Sequence, residues 1–582
     1  MSSLLTLKDF FKKNKWYYIF GIVWLLMVDI LQLVVPEILR SFTDKLQQNS
    51  LDFESVLRYG LYILLVGIGI GVFRFLWRIC IIGASRRLEY ELRNRLFSHL
   101  LRLSTNYFSS HKTGDLMAHA TNDINAVRMA LGMGIVMVTD AVFITVIAIG
   151  MMITTTDLRL TLLALVPLPF LVITIAKGGK AIGDRFKDVQ EAFSSLTDTV
   201  QENFSGIRVI KSFIQEKEEL KKFNLSNQLL FEKNMSLVKI YGMFLPFVQF
   251  VSAISFLIVI GYGGSLVIKG DISLGDFIAF HAYLQLLVWP MMAMGWVINV
   301  LQKGITSMKR INTILHEVPE IVDEANAKKP EDFMGSISFD RVSFKYPNSS
   351  SYSLEDFSIS LPAGKSLGVI GKTGSGKTTI ATLLLRLYDL EEGEISIDGI
   401  NIKELQLDFL RKNIGYVDQD SFLFSTTIED NIGFSLDHYT KEEIITAAKL
   451  AEVHDNIIQF SKQYATFVGE RGVTLSGGQK QRVSIARALV KKPRILILDD
   501  SLSAVDTDTE ERILNSLKQE MQNKTSIIIA HRISTIKDCD EIIVLEEGKI
   551  LEKGTHNELL DIKGLYYDIY QKQLLEEKIQ AE

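Results

Sequence analysis

The chain has 582 residues, 47% of them hydrophobic, and a formal net charge of −5 at pH 7. This length predicts more than one domain, and the hydrophobic fraction, with a mean hydropathy of +0.19, is too high for an ordinary soluble protein. The acidic balance argues against nucleic acid as a partner, and two distant cysteines, Cys80 and Cys539, argue against a disulfide scaffold or a cysteine-based metal site.

Six apolar segments occupy the first half of the chain, and most exceed the roughly 20 residues that a helix needs to cross a bilayer. The fourth is the shortest and contains Pro167 and Pro169. We predict an all-α transmembrane domain of six helices over residues 1–305, with long, helix-patterned cytoplasmic loops at about 83–130 and 177–239. The segments are 16–38, 56–82, 131–154, 160–176, 240–268 and 277–301.

Basic residues concentrate in the N-terminal tail and in the two long loops. The opposite side of the predicted membrane domain has few, among them Lys45, Arg159 and Lys269. The positive-inside rule therefore predicts a multi-pass protein of the cytoplasmic membrane, embedded in the lipid bilayer, with both termini in the cytoplasm.

The character of the chain changes after the sixth segment. Residues 306–334 are polar and charged, which indicates a helix end and a linker. From there to residue 582, short apolar runs alternate with helical patterns and glycine-bearing turns, which is typical of an α/β domain with a parallel sheet.

A phosphate-binding loop, GKTGSGKT, lies at Gly371–Thr378 between a predicted strand and a predicted helix. Its glycines let backbone N–H groups surround phosphate oxygens, Lys377 neutralises the β- and γ-phosphates, and Thr378 ligates Mg²⁺. We therefore predict ATP and Mg²⁺ as cofactors. The nucleotide contacts predicted here are Gly371, Thr373, Gly374, Ser375, Gly376, Lys377, Thr378 and Thr379.

Two further motifs extend this chemistry. Asp499 ends the apolar run RILIL, where an aspartate is often only a cap or turn residue, but near a phosphate loop its carboxylate suits magnesium. Ser476, Gly477 and Gly478 form a tight turn that opens a helix, a second anion seat. The phosphate-binding loop and this second anion-binding turn can contact the same nucleotide only if two such chains pair head to tail.

The segment LSGGQ, Leu475–Gln479, resembles the signature of the ATP-binding cassette family, and other motifs of that family follow in the expected order. The resemblance implies that Tyr346 stacks on adenine, Gln419 senses Mg²⁺ and the attacking water, and His531 grips the γ-phosphate. It also implies roles for GERG at 469–472, for SAVD at 503–506, and for coupling regions at 113–124 and 201–213.

Six helices before one cassette resemble half of a multidrug exporter, an ATPase that drives transport. The resemblance implies an α/β P-loop cassette fused to the transmembrane domain and three sets of site residues. They are Asp500, His531 and Gln419 for catalysis, Thr378, Gln419 and Asp499 for the metal, and Ser476, Gly477, Gly478 and Gln479 for the partner's ATP.

Two positions depart from the family pattern. Asp418 replaces a usual proline, which we treat as minor, and Asp500 replaces the glutamate that polarises the attacking water. The shorter side chain predicts slow hydrolysis here and a heterodimer whose other half-exporter carries the Walker B glutamate. This asymmetry resembles that of bacterial heterodimeric multidrug exporters; the alternative is a homodimer in which Asp500 suffices.

The sixth segment carries a mixed aromatic and polar stripe that suits hydrophobic or cationic small molecules, although helix packing explains such a stripe equally well. Asp140, at membrane depth, is a candidate for attracting a cation. The alternative functions are a lipid or peptide exporter, or an ATP-gated regulatory subunit. The candidate substrate residues are Asp140, His281, Gln285, Trp289, Met292 and Trp296.

Overall fold

A computed structural model describes residues 2–347, 349–469, 472–502, 507–521 and 524–581. They form two compact units: Met1–Leu101 with Thr113–Glu317, and Arg102–Lys112 with Val318–Glu582. Residues 306–334, predicted as a helix end and a linker, are helical as far as Leu315, and the part after Glu317 belongs to the second unit.

The first unit is helical throughout its described part. Several long helices contain short π-helical segments, namely Arg78–Ile82, His119–Asp123, Ala130–Gly134 and Val259–Gly263. The first thirteen α-helices of the chain are α1 Lys8–Gln47, α2 Phe53–Trp77, α3 Gly83–Leu100, α4 Thr105–Ser110, α5 Thr113–Ala118, α6 Ile124–Met129, α7 Ile135–Thr155, α8 Leu158–Leu165, α9 Pro167–Ser205, α10 Ile207–Ser212, α11 Glu216–Ile258, α12 Gly264–Lys269 and α13 Leu274–Leu315.

Five helices in the described part of the chain are long and apolar enough to cross a membrane, rather than the six that we predicted. They are Leu4–Gln47, Phe53–Leu100, Thr113–Thr155, Glu216–Lys269 and Leu274–Leu315. The fourth predicted segment holds only a shorter apolar helix, Leu158–Phe170. Within that segment α8 ends at Leu165 and α9 begins at Pro167, which cannot donate a backbone hydrogen bond.

The residues predicted as long cytoplasmic loops are mostly helical. Residues 83–130 include α3, α5 and α6, and residues 177–239 lie within α9, α10 and α11. Within the first region, α4 belongs to the second unit, where Ser104 and Asn106 donate hydrogen bonds to the carboxylate of Glu320.

Asp123 ties its π-helical segment to α13. Its buried carboxylate accepts hydrogen bonds from Ser307 Oγ at 2.8 Å and from Arg310 Nε at 2.9 Å, and His119 Nδ1 lies 2.6 Å from it. Because the groups come from positions about 190 residues apart in the chain, this network fixes the register of two helices that sequence proximity cannot fix.

The second unit contains two sheets. The first is antiparallel with the order β2-β1-β4-β5, and the second has the order β10-β9-β3-β8-β7-β6, parallel except for the β9–β10 hairpin. The strands are β1 Ile337–Phe344, β2 Leu354–Leu361, β3 Ser366–Gly371, β4 Glu392–Ile397, β5 Ile400–Asn401, β6 Ile414–Val417, β7 Ile495–Asp499, β8 Thr525–Ile529, β9 Glu541–Glu546 and β10 Lys549–Gly554.

The antiparallel sheet was not anticipated by the prediction of a parallel α/β domain. The connection between Phe344 and Leu354 is too short for a parallel crossover, so β1 and β2 pair antiparallel. The helices of this unit are α14 Lys377–Leu384, α15 Leu407–Asn413, α16 Ile428–Gly433, α17 Lys441–Leu450, α18 His454–Ile458, α19 Gly477–Leu489, α20 Thr507–Met521, α21 Ile533–Ile536, α22 His556–Ile562 and α23 Leu565–Ala581.

The parallel strands of the second sheet bring their carboxyl ends to one edge. Strand β3 lies between β8 and β9, and β7 follows β8, so Gly371, Asp499 and Ile529 end close together at that edge. Both faces of these strands are buried, which explains their continuous apolar sequence.

We predict that Asp123→Asn destabilises the first unit, because it removes the negative charge that Arg310 and Ser307 contact. Hydrogen bonds to charged groups contribute roughly 1.5–3 kcal/mol, and the half-exposed Arg310 places the loss at the lower end. The measurement is the midpoint of thermal unfolding of the purified protein in detergent, which should fall by a few degrees. Asp115→Asn, an exposed position eight residues earlier, is the control; equal midpoints for both variants would contradict the prediction.

Candidate functional site

The loop between β3 and α14 has a backbone that only glycine accommodates at two positions. Gly376 has φ of 98°, and a Cβ atom there would lie 2.0 Å from the carbonyl oxygen of Ser353. A Cβ atom on Gly371 would lie 2.2 Å from the carbonyl oxygen of Leu545. The loop therefore packs directly against backbone on both sides, and α14 begins immediately after it with its N–H groups facing the loop.

Lys377 is held inside this loop. Its Nζ donates hydrogen bonds to the carbonyl oxygens of Gly371 at 2.8 Å and Lys372 at 2.9 Å. Burial lowers the pKa of Lys377, while the nearby carboxylates of Asp499 and Asp500 oppose that shift. A cation fixed at the mouth of a phosphate loop, with carboxylates beside it, is ready to neutralise a polyphosphate.

Asp499 ends β7 and is 1% exposed. Burial raises its pKa to about 6, against a hydrogen bond with Thr378 that lowers it, and Asp418 and Asp500 add to the rise. Its Oδ2 atom has no hydrogen-bond partner among the described residues. A buried carboxylate oxygen without a partner among the described residues, beside the Thr378 hydroxyl, fits the oxygen ligands that Mg²⁺ takes, and Asp499 and Thr378 would hold the ion there.

Asp500 follows in a left-handed backbone conformation with φ of 44°, which is uncommon for a residue with a side chain. Its N–H donates to the carbonyl oxygen of Ile529 at 2.9 Å, so the strained turn is held to the neighbouring strand. The backbone position of Asp500 is therefore fixed. The length of its side chain then limits how far its carboxylate extends into the site.

Tyr346 lies at the rim of the site. Its ring contacts Tyr388 edge-to-face at 5.2 Å and Phe344 at 5.1 Å, and its hydroxyl lies 3.3 Å from that of Thr379. These contacts fix the orientation of the Tyr346 ring, as stacking against a nucleotide base requires.

One cavity of about 250 Å³ collects most of the predicted nucleotide residues. Gly371 and Ser375 are not among its lining residues, and Ser353 and Ile529 line it without having been predicted. No local motif marks Ser353 and Ile529, which reach the site through strand packing. The lining residues are Tyr346, Ser353, Thr373, Gly374, Gly376, Lys377, Thr378, Thr379, Gln419, Asp499, Asp500, Ile529 and His531.

The signature residues lie apart from this cavity. Ser476 caps α19, accepting a hydrogen bond from the Gln479 backbone N–H, while Gln479 Oε1 accepts one from the N–H of Ser476 at 3.0 Å. This capping box leaves the N–H groups of Gly477 and Gly478 at the first turn of the helix, the predicted anion seat. Residues 470–471, within GERG, and 503–506, SAVD, lie outside the described residues.

The candidate substrate residues do not form one cluster. His281 Nε2 and Gln285 Nε2 are 3.1 Å apart, and the His281 ring contacts Phe256 at 4.7 Å. Gln285 lines a cavity of about 450 Å³ with α11 residues that the sequence did not single out: Val248, Gln249, Ser252, Ala253 and Phe256.

The remaining candidates lie elsewhere. Trp289 and Trp296 are 62% and 43% exposed on α13, and Asp140 lies on α7 with its Oδ1 buried and unpaired among the described residues. The side chain of Met292 is outside the described part of the structure.

The sequence matches two protein families. A model described as ABC transporter transmembrane region covers residues 18–291, and one described as ABC transporter covers residues 354–503. A solved structure of a bacterial Atm1-family ABC exporter with ATP bound superposes with a TM-score of 0.79 at 27% identity, over 96% of this chain and 98% of that chain.

Several relatives match along most or nearly all of the chain. The "Probable multidrug resistance ABC transporter ATP-binding/permease protein YheI" of Bacillus subtilis (strain 168) is 39% identical, over 99% of this chain and 98% of its own length. The multidrug resistance-like ATP-binding protein MdlA of Escherichia coli (strain K12) is 38% identical over 97% and 96%. An ATP-dependent lipid A-core flippase of Syntrophus aciditrophicus (strain SB) is 36% identical over 86% and 82%.

These matches confirm the predicted fold class, a helical transmembrane domain fused to an α/β cassette, and the predicted cofactors. The chain belongs to the ATP-binding cassette exporters: it is a multi-pass membrane protein whose cassette binds ATP with Mg²⁺ and whose ATPase activity is coupled to transport.

Proposed function

We propose that this chain is one half of a heterodimeric exporter of hydrophobic and cationic drugs, resembling the BmrC half of the BmrCD type, and that its own ATP site is slow. The observation that carries the proposal is Asp500, which lines the nucleotide cavity directly after the magnesium aspartate Asp499. The other residues that line the cavity suit tight binding of Mg-ATP. This chain therefore binds nucleotide as the family pattern implies and differs from that pattern only in the hydrolytic step.

The slow step follows from side-chain length. An aspartate carboxyl group ends one C–C bond, about 1.5 Å, short of a glutamate carboxyl group. The backbone of Asp500 cannot move forward to compensate, because its N–H is bonded to Ile529. Misplacement by about 1 Å can cost around a hundredfold in rate, and loss of a general base costs about 10²–10⁴-fold.

The need for a second subunit follows from the position of α19. Its capped N-terminus is an anion seat, yet Ser476–Gln479 are not among the described residues that line this chain's nucleotide cavity. A complete signature therefore serves a nucleotide held by another subunit, and that subunit supplies the glutamate that this chain lacks. A homodimer in which Asp500 suffices is the alternative; a neighbouring gene that encodes a second half-exporter with that glutamate would distinguish the heterodimer from it.

Two acids in the membrane unit support cationic cargo. Asp29 on α1 is 1% exposed with an unpaired Oδ2, and its charge and that of Asp140 on α7 act on each other. They lie between two separate apolar clusters, one containing Leu25 and Val136 and the other Leu33 and Ala148. Ionised groups are costly at membrane depth and are retained mainly where they bind charge.

The cavity between α11 and α13 supplies the apolar part of such a site, with Phe256 and Val288 beside the polar Gln285. We place the chain in the cytoplasmic membrane with both termini inside, as the distribution of lysine and arginine favours. Lipid export is the second candidate, favoured by the similarity to the flippase. Transport into inside-out vesicles distinguishes these from an ATP-gated regulator, which accumulates no cargo.

We predict that Lys377→Ala weakens binding of Mg-ATP to this chain by at least about tenfold, since it removes the cation that faces the phosphates. The measurement is titration with a fluorescent ATP analogue. Lys372→Ala is the matched control, because Lys372 lies in the same loop but is exposed and paired with Glu546 at 2.7 Å. Equal losses in the two variants would contradict the assigned role.

We predict that Asp500→Glu raises hydrolysis at this chain's site by at least about tenfold, because it restores the missing reach. The assay uses the purified two-subunit complex in which the partner's catalytic glutamate has been changed to glutamine, so that the remaining turnover reports this site. Asp500→Asn, which keeps the length and removes the charge, should leave that rate within about twofold. A collapse with Asp500→Asn would show that Asp500 is already an effective base.

We predict that Asp140→Asn slows uptake of a cationic dye into inside-out vesicles by roughly tenfold, equivalent to about 1.4 kcal/mol, and leaves uptake of a neutral dye within about twofold. The reason is that only the cationic dye uses the carboxylate charge. Asp271→Asn, at an exposed turn beside the membrane helices, is the control. Equal slowing of both dyes by Asp140→Asn would mean a structural role instead.

A further inference from the structure

We propose that Gln573, on the C-terminal helix α23, and Glu510, on α20, are positioning residues that hold the loop of His531 at the nucleotide cavity. His531 lines that cavity, but its own side chain is exposed, so packing does not fix its orientation. The inference rests on the proposed role of His531 at the γ-phosphate and extends it to two residues that touch neither nucleotide nor metal.

Gln573 holds the backbone on both sides of the loop. Its Nε2 donates to the carbonyl oxygen of His531 at 2.7 Å, and its Oε1 accepts from the N–H of Ile533 at 2.9 Å. One side-chain amide thus bonds a backbone carbonyl and a backbone N–H that are two residues apart. Because the donor and the acceptor of that amide are a fixed distance apart, the two bonds restrict the conformation of the peptide between His531 and Ile533. The two bonded groups lie 40 and 42 residues away in the chain.

The helical spacing of α23 brings Gln573 to this loop. Tyr566 is fully buried, and Ile569 and Tyr570 pack against the same apolar core. Gln573 follows at seven residues from Tyr566 and therefore lies on the same face of the helix. Gln573 is half-buried at the end of this apolar face, and the backbone of the His531 loop satisfies its amide group.

Glu510 holds the same loop from the opposite side. Its carboxylate is 3% exposed, accepts a hydrogen bond from Arg532 Nη1 at 2.8 Å, and accepts another from the Thr535 hydroxyl. Glu510 also lines a small cavity of about 60 Å³ together with Asp500 and His531. The residues after His531 are therefore bonded to α20 on one side and to α23 on the other.

The consequence is preorganisation. A side chain placed for a phosphate oxygen must be held within roughly 0.5 Å by its supporting residues. Since the side chain of His531 is exposed, the two clamps on the surrounding backbone fix the position from which its ring reaches the cavity. Loosening either clamp should weaken the grip on bound nucleotide without emptying the cavity.

The experiment follows the exchange of trapped Mg-ATP from this chain's pocket in the purified two-subunit exporter. The pocket is labelled with a photoreactive, radiolabelled ATP analogue after a chase with unlabelled ATP. We expect Gln573→Leu to shorten the exchange half-time by about three- to tenfold, with initial ATP affinity and the unfolding midpoint unchanged. Gln571→Leu, an exposed glutamine on the same helix, should change nothing.

A double variant tests whether the effect passes through His531. We expect His531→Ala to shorten the half-time at least as much, and Gln573→Leu to add nothing to it, because residues that act as one unit are not additive. Equal shortening by Gln573→Leu in both backgrounds would overturn the inference. So would an unchanged half-time for Gln573→Leu alone beside a short one for His531→Ala.

Two more variants separate the remaining possibilities. Gln573→Glu keeps the acceptor for Ile533 and loses the donor to His531, so an intermediate half-time is expected, and it serves where Gln573→Leu does not assemble. Glu510→Gln, which weakens the pair with Arg532, should shorten the half-time and be equally silent in the His531→Ala background. No effect of His531→Ala itself would overturn the inference together with the proposed role of that histidine, which marks this failure as different from a failure of the clamps.

Discussion

A buried ammonium group at the carboxyl edge of the parallel sheet constrains the cassette. Lys377 donates to two loop carbonyls and faces the carboxylates of Asp499 and Asp500. A buried charge is stable only when it is paired and hydrogen-bonded, so the loop must close around it. That closure requires a left-handed backbone and direct contact with other backbone at Gly376. The loop conformation that satisfies Lys377 also points backbone N–H groups towards a bound phosphate. The loop therefore forms the phosphate site when it folds.

The cavity collects the groups that nucleotide binding needs, and the proposed function assigns it one deficiency. Its cation, its magnesium carboxylate and its aromatic rim lie around one cavity. The proposed deficiency is a single methylene at Asp500, made consequential by the hydrogen bond that fixes its backbone to Ile529. An ATP that binds well and is cleaved slowly favours prolonged closure of two cassettes, so such a site acts as a clamp, while turnover falls to the partner. The two supports of the His531 loop fit this picture, since a clamp needs a rigid grip more than a fast base.

The membrane unit holds polar side chains within a largely apolar set of helices. Asp29 and Asp140 lie between two apolar clusters, and Gln285 faces a largely apolar cavity between α11 and α13. Outside this region, Asp123 secures the helices through charged hydrogen bonds to α13. The stabilising charge of Asp123 is thus fully hydrogen-bonded, whereas one carboxylate oxygen of each acid that we assign to cargo has no hydrogen-bond partner among the described residues.

Sequence alone predicted the features that depend on a few consecutive residues. The spacing of glycines at 371–378, the serine and glutamine of the capped α19, and the long apolar runs each specify a local backbone geometry. Tertiary structure decided what depends on which faces pack together. The place of α4 in the second unit and the bonds from Gln573 to the His531 loop have no local signal. The reason is physical: hydrogen bonding within a turn is set by neighbours in the chain, whereas contacts across 42 residues or more are set by the burial of whole helices and strands.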